Sequence, residues 1–285
     1  MKLAVHDWNS LLAASRGLHE FLGDGPIHSS CLLPLHHVSG LMQLVRSFAT
    51  GGQIRFDGEV TKGYCLSLVP TQLKRWLSDG AAVERLRTAR AVFVGGAALT
   101  ERLASRAREL RLPIVPVYGM TETAAMVAAV SIKDFLNEDN AGAVPLGGAK
   151  IDVDPDGGIR VQSPALFKGY HGREPIDLSA GFRTGDRGRL DSRGRLHVLG
   201  RMDRLINSGG EKVDPAEVEQ ALLEAVPRDS NSGFDMRAII HMIVDKESFF
   251  EIGEFYGPSQ ICGLATLAGQ PVGILANDCM HYAGA

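Results

Sequence analysis

The chain has 285 residues, with 30 Lys and Arg against 33 Asp and Glu and a formal net charge of −3. Hydrophobic residues make up 45% and charged residues 22%, which excludes a mainly disordered chain and supplies ample material for a core. A near-neutral balance without a long basic run lacks the footprint that a phosphate backbone requires, so no nucleic acid partner is expected.

In chain order, the first clear element is the apolar run Ala91-Val92-Phe93-Val94, a predicted strand that stops at Gly95-Gly96. A helix is predicted from about Thr100 to Leu110. Leu99, Leu103, Ala107 and Leu110 share one face, and Arg102, Arg106, Arg108 and Arg111 form a solvated face. Pro113 to Val117 then reads as a second strand, ending at Tyr118-Gly119. Its prolines at 113 and 116 suit strand ends better than a strand centre. Strand, helix and strand with tight glycine exits predict an α/β fold with a parallel sheet whose strand ends face a ligand crevice.

From about Ala149 to Leu199, short strands and turns such as Asp154-Pro155-Asp156-Gly157-Gly158 predict a small antiparallel β module. Asp214-Pro215-Ala216-Glu217 is a helix start with a capping Asp, Pro at the first helical position and a reciprocal Glu. Residues 228–233 are a polar, turn-rich junction. Met236 to Val244 reads as a helix, and Ile261 to Ala265 with Pro271 to Ala276 as a hairpin. No stretch approaches the roughly 20 apolar residues of a membrane-spanning helix. His6, Asp7 and Asn9 interrupt any secretory signal. Cys31, Cys65, Cys262 and Cys279 form no CxxC pair, so free thiols in a cytoplasmic protein are expected.

The sharpest chemistry lies in Tyr118-Gly119-Met120-Thr121-Glu122-Thr123, directly after a predicted strand. An aromatic ring, a glycine turn, a hydroxyl and a carboxylate leave the sheet together. These are the parts needed to stack a purine, approach a phosphate and help hold Mg²⁺. The same residues also suit a plain strand-to-helix turn capped by Glu122. A metal pair at His36–His37 lacks a third ligand at useful spacing.

This segment resembles the core motif of the adenylate-forming (AMP-binding) superfamily of acyl- and aryl-CoA synthetases. Leu33-Pro34-Leu35-His36-His37-Val38-Ser39-Gly40, Val94 to Leu99, Phe182-Arg183-Thr184-Gly185-Asp186, Gly200 to Ile206 and Gly209 to Val213 resemble further motifs of the superfamily in its order. The runs from Leu33 to Gly52 and from Ser67 to Leu77 are most similar to the o-succinylbenzoate–CoA ligases of menaquinone and phylloquinone biosynthesis. The resemblance implies that ATP, a small carboxylic acid and CoA are the reactants, with AMP and diphosphate as products and Mg²⁺ required. It implies that Tyr118 stacks on adenine after Gly119 turns the chain. Thr121 would contact the α-phosphate and Glu122 hold Mg²⁺. Asp186 and Arg201 would hold the ribose, and Gly95, Gly96 and Ala97 line the nucleotide. His37 would border the acyl pocket, and Asp203 would be the hinge of a mobile C-terminal domain.

Two features of the family pattern are missing. Residues 1–30 carry no Ser/Thr/Gly-rich phosphate loop ending in Lys, and the likeness stops at about Ala225, before the catalytic lysine. Phe234 to Ile240, Phe249 to Ile252 and Gly269 to Asn277 instead resemble the carboxyltransferase β-subunit of biotin-dependent acyl-CoA carboxylases, a crotonase-like fold. The expected organisation is a partial acyl-adenylate domain at 1–200, a hinge and truncated C-terminal domain at 201–226, and a carboxyltransferase-like fragment at 227–285. Such a chain is expected to be inactive as a ligase and poorly soluble through an exposed sheet edge. The alternatives are a carboxyltransferase fragment or a non-catalytic fusion product.

Overall fold

The computed structural model describes residues 3–23, 25–138, 140–202, 206–208, 211–213, 233–253, 255–267, 269–278 and 280–281. The chain divides into two units, Met1–Leu199 and Gly200–Ala285. Asp203, Gly209, Gly210 and the helix start at Asp214 lie outside the described residues.

The first unit begins with β1 (Ala4–Val5) and α1 (Trp8–Leu22), whose cap Asp7 accepts a hydrogen bond from the Ser10 amide at 2.8 Å. β2 (Ser29–Ser30), α2 (Val38–Ala49), β3 (Ile54–Arg55) and β4 (Cys65–Leu68) follow. Then come α3 (Pro70–Leu77), α4 (Gly80–Arg87), β5 (Ala91–Val94), α5 (Glu101–Glu109) and β6 (Ile114–Tyr118). β7 (Ala128–Ala129), α6 (Ile132–Asn137) and β8 (Val144–Pro145) complete the main sheet and its helices.

That sheet has the order β3-β2-β4-β5-β6-β7-β8. Its strands are parallel from β3 to β6, and β7 and β8 add antiparallel. Strand alternation sorts the buried side chains onto two faces. Leu66, Leu68, Val92, Val94 and Ile114 pack with Leu73, Val83, Leu86, Ala104 and Ala107 from α3, α4 and α5. Cys65, Ala91, Phe93 and Val115 pack on the other face with Leu18 of α1. Both faces are thus covered, as a parallel sheet demands.

Two sequence expectations need correction. Pro116 sits inside β6, registered with Val94, rather than at a strand end, and it joins the sheet through its carbonyl, which accepts a hydrogen bond from the Val130 amide at 2.9 Å. Arg108 does not lie on a fully solvated face. Its guanidinium stands 5.5 Å from the Phe135 ring centroid and pairs with Glu101.

β9 (Lys150–Val153), β10 (Gly158–Gln162), β11 (Gly169–Tyr170), β12 (Phe182–Leu190) and β13 (Leu196–Arg201) supply the rest of the β structure up to residue 201. β9, β10, β12 and β13 form the expected antiparallel module in the order β13-β12-β10-β9, while β11 pairs with β1. Ile151, Ile159, Val161 and Leu196 from this module belong to the same core as Leu66 and Val92 of the main sheet.

In the second unit, β14 (Ile206–Ser208) pairs antiparallel with β15 (Glu211–Val213). α7 (Met236–Ile243) starts at the cap Asp235, and β16 (Phe250–Glu251), β17 (Gln260–Leu267) and β18 (Gln270–Asn277) form an antiparallel sheet. Ile240, Val244, Ile261 and Ala265 form its small core. Arg237 ties helix to sheet by a bidentate pair to Glu251, at 2.8 and 2.7 Å, and a bond to Asp278. Removing the guanidinium leaves Asp278, only 3% exposed, without its main counter-charge. Arg237→Ala is therefore expected to destabilise this unit by about 3 kcal/mol. Hydrogen exchange on the full chain should show faster exchange of the α7 amides, with those of β4 and β5 unchanged.

Candidate functional site

The site is built where β5 and β6 end side by side. Gly95 follows β5 and lies so close to β6 that an added Cβ would stand 2.6 Å from Val117 Cγ2. Gly96 continues with a positive φ of 81°, which a side chain resists, and Ala97 follows exposed. β6 delivers Tyr118, and the chain then folds back sharply. A Cβ on Gly119 would fall 1.6 Å from the Ala125 carbonyl oxygen, so only glycine fits this turn.

Thr121–Thr123 form one 3₁₀ turn. Thr123 is fully buried and its hydroxyl accepts from the Met120 amide at 3.0 Å, locking the turn from inside. Thr121 is left exposed and Glu122 half-buried. Ala124 and Ala125 then take positive φ values of 52° and 82°, which returns the chain beneath Tyr118.

The antiparallel module contributes Asp186 from β12. The Tyr118 hydroxyl donates to Asp186 Oδ2 at 2.8 Å, with Thr184 Oγ1 3.3 Å away. Thr184 in turn donates to the Ile159 carbonyl at 3.1 Å and accepts from the Asp186 amide at 3.1 Å, so the aspartate is fixed by its own strand. Tyr118 and Asp186, 68 residues apart in sequence, thus meet at one point.

Other residues that sequence reasoning did not single out complete the surroundings. The Tyr170 hydroxyl donates to Glu122 Oε1. Burial and that carboxylate push its pKa up to about 12, so it stays a donor at neutral pH. His6 Nε2 lies 2.8 Å from the Thr121 carbonyl oxygen.

Beneath the turn runs α2, whose Met42 and Val45 pack on Ala124. The same helix carries Arg46, 2% exposed, bonded to the Ser29 and Ser67 hydroxyls at 3.2 and 3.3 Å and placed 5.0 Å from the Phe93 ring centroid. It makes no ion pair among the described residues. Burial pulls its pKa down to about 10, the mark of a guanidinium stripped of water without a carboxylate in exchange. Arg46 lines a small cavity with Ala14, Ser15, Met42 and Ala124 to Met126, against the back of the motif turn. The signal for Arg46 was the one charged residue of α2; Tyr170 and His6 had no local signal.

His37 stands exposed at the N-terminus of α2, its ring 4.4 Å from that of His36. Arg201 belongs to the second unit, exposed at the end of β13, and Asp203 lies outside the described residues. The structure therefore gathers Gly95, Gly96, Tyr118, Gly119, Thr121, Glu122 and Asp186, and leaves the other expectations to their own places.

This donor set fits a nucleotide. Asp186, one of whose oxygens accepts from Tyr118, carries a carboxylate of the kind that can accept from ribose hydroxyls. Glu122 beside the Thr121 hydroxyl suits Mg²⁺, which takes one or two protein carboxylates and completes its shell with phosphate and water.

Residues 2–171 match the AMP-binding enzyme family and residues 203–285 match the carboxyl transferase domain. The 2-succinylbenzoate–CoA ligase of Listeria monocytogenes is 33% identical over 211 residues, covering 68% of this chain and 44% of that protein. O-succinylbenzoate coenzyme A synthetase of Bacillus subtilis in complex with AMP superposes with a TM-score of 0.67 at 29% identity, over 78% of this chain and 51% of that one. The same enzyme in complex with ATP and magnesium ion gives a TM-score of 0.67 at 26% identity, over 92% and 54%. The chain spans about half the length of the curated relatives it matches. No helix among the described residues is long and apolar enough to cross a membrane. The family match over residues 2–171, more than half of the chain, together with the 33% identity to the Listeria ligase leads to one conclusion: this chain belongs to the AMP-binding enzyme family.

Proposed function

We propose that residues 1–200 form the nucleotide- and acid-binding part of an acid–CoA ligase. In that reaction a carboxylate oxygen attacks the α-phosphorus of ATP and diphosphate leaves. The CoA thiolate then attacks the acyl carbon and AMP leaves. The observation that carries the reading is the meeting of Tyr118 with Asp186, which joins the motif turn of the parallel sheet to the antiparallel module.

In this reading Tyr118 stacks on adenine and Asp186 accepts from the ribose hydroxyls. Gly95, Gly96 and Ala97 lie along the nucleotide, and Thr121 donates to the α-phosphate. His37 borders the acid, while Arg201 and Asp203 serve the ribose and the hinge. Bound Mg²⁺, held by Glu122, would neutralise charge on the phosphates as the bond to phosphorus forms. Arg46 supports an acid with a second carboxylate, as in 2-succinylbenzoate: the buried guanidinium gains most from a ligand that brings the missing negative charge.

The test is binding of a non-hydrolysable acyl-sulfamoyl adenylate to the full chain by calorimetry. Asp186→Ala removes charge-assisted hydrogen bonds, so a loss of about 2–3 kcal/mol, roughly 30- to 150-fold in Kd, is expected. Binding unchanged by that substitution would remove Asp186 from the site. We further propose that residues 1–285 alone bind without catalysing ATP–diphosphate exchange, because no loop rich in glycine and hydroxyls and ending in lysine occurs at 1–30. Robust exchange would overturn that part.

The match over residues 203–285 favours a second reading for the C-terminal segment, a carboxyltransferase-like piece at 227–285 following a hinge at 201–226. Carboxyl transfer from biotin to an acyl-CoA, indifferent to adenylate analogues, would support it.

A further inference from the structure

The short ribbon of β1 and β11 has a use beyond packing. Its register pairs Ala4 with Tyr170 and Val5 with Gly169, and it is stitched further by Lys168 N to Val5 O at 2.7 Å and His171 N to Leu3 O at 2.8 Å. The two strands reach neighbouring motif residues, Thr121 from one side and Glu122 from the other. From the β1 side, His6 Nε2–H donates to the Thr121 carbonyl at 2.8 Å, while His6 Nδ1 lies 3.0 Å from Ser10 Oγ. From the β11 side, the Phe167 amide donates to the Glu122 carbonyl at 2.9 Å, and the Tyr170 hydroxyl donates to Glu122 Oε1. Phe167, 1% exposed, anchors this side by edge contacts to Tyr170 and Phe182, with centroids at 4.9 and 5.2 Å.

We propose that this ribbon is a bracket that positions Glu122 for a divalent cation, with the Tyr170 hydroxyl as the group that fixes the carboxylate. The proposal rests on the nucleotide–Mg²⁺ reading of the site. Two carbonyl contacts fix where the turn lies, and the phenol fixes which rotamer the glutamate side chain takes. Oε1 is held by Tyr170, and Oε2 is the oxygen left for the cation. A long, flexible carboxylate ordered before the ligand arrives loses less entropy on binding it, and its outer partner tunes its affinity. Tyr170 is thus a positioning residue that touches neither nucleotide nor metal.

The experiment uses the full chain with saturating AMP and Mn²⁺ as the spectroscopic substitute for Mg²⁺, its free fraction read by electron paramagnetic resonance. Tyr170→Phe keeps the ring against Phe167 and removes only the hydroxyl. We expect it to weaken Mn²⁺ binding about tenfold, with AMP affinity in metal-free buffer and the melting temperature at wild-type values. That split is the signature of positioning. Unchanged Mn²⁺ affinity in Tyr170→Phe overturns the bracket, as does a parallel fall in metal affinity, AMP affinity and melting temperature, which would make Tyr170 structural. Glu122→Gln is the reference for complete loss of the cation. If the wild-type chain binds AMP but no Mn²⁺, the bracket falls and the nucleotide reading of Asp186 stands. If it binds neither, both fall.

Discussion

Gly119→Ala is expected to collapse the motif turn and lower stability by about 4 kcal/mol. The new Cβ would lie 1.6 Å from Ala125 O and 2.7 Å from Met126 Cα, and both are backbone atoms that no rotamer change can move aside. The chain between residues 119 and 126 must therefore open. It then loses the Ala125 amide bond to the Met120 carbonyl at 3.1 Å and the Val127 amide bond to the Tyr118 carbonyl at 2.8 Å. At roughly 2–4 °C per kcal/mol for a domain of this size, the melting temperature should fall by roughly 10 °C, and adenylate binding should go with it. Gly148→Ala is the matched control. Gly148 has a φ of 74° but open space around its missing Cβ, so it should lose only about 1 kcal/mol from backbone strain. A Gly119→Ala protein that melts with wild type would mean that the turn is not built as described.

Arg46→Met has the opposite sign for stability. The guanidinium is buried without an ion pair among the described residues, and two serine hydroxyls and the Phe93 face do not repay the loss of its hydration. An apolar chain of similar length removes that penalty. Ser29 keeps the Ser47 hydroxyl as a partner at 3.1 Å, which leaves the Ser67 hydroxyl as the group that loses its bond to Arg46. A gain of about 1–2 kcal/mol, or roughly 3–6 °C in melting temperature, is expected. The same substitution should weaken an acyl-adenylate analogue with a second carboxylate by about 100-fold, because a desolvated charge pair is lost. An analogue lacking that carboxylate should bind unchanged. Such an exchange of stability for recognition is common where a residue serves a ligand rather than the fold. Thermal melting combined with calorimetry on the two analogues reads both signs, and a destabilised Arg46→Met protein would make Arg46 a structural residue instead.

Local patterns carried much of the architecture. Ala91–Val94 is a strand with the bounds its apolar run and following glycines predicted, and the helix expected from Thr100 to Leu110 spans Glu101–Glu109. The same holds for the hairpin of β17 and β18, where alternation and a turn lie close together in sequence. Pro116 was harder because a missing N–H is harmful only where the neighbouring strand needs it, and that depends on pairing. Arg108 reads as a solvent residue until Phe135, from another helix, comes under its guanidinium. In the site, Tyr118, Gly119, Thr121 and Glu122 were visible as a contiguous motif with a recognisable chemistry. The partners that orient them were not. His6 meets Thr121 across 115 residues and Tyr170 meets Glu122 across 48, and no local period encodes contacts of that range. Arg46 was hidden for another reason: its place in a helix says nothing about which charge, if any, answers it.

The continuous core that runs from Leu66 and Val92 of the main sheet to Ile159 and Leu196 of the antiparallel module also sets how this protein can be recombined with its relatives. A crossover in the loop between β8 and β9 would ask two side-chain sets of separate descent to interdigitate, although the loop itself would tolerate the splice. The bridge between Ala143 and Leu196 repeats that constraint in the backbone. The unit of inheritance is therefore the whole of Met1–Leu199, sheet and module together, and not the sheet that ends at β8.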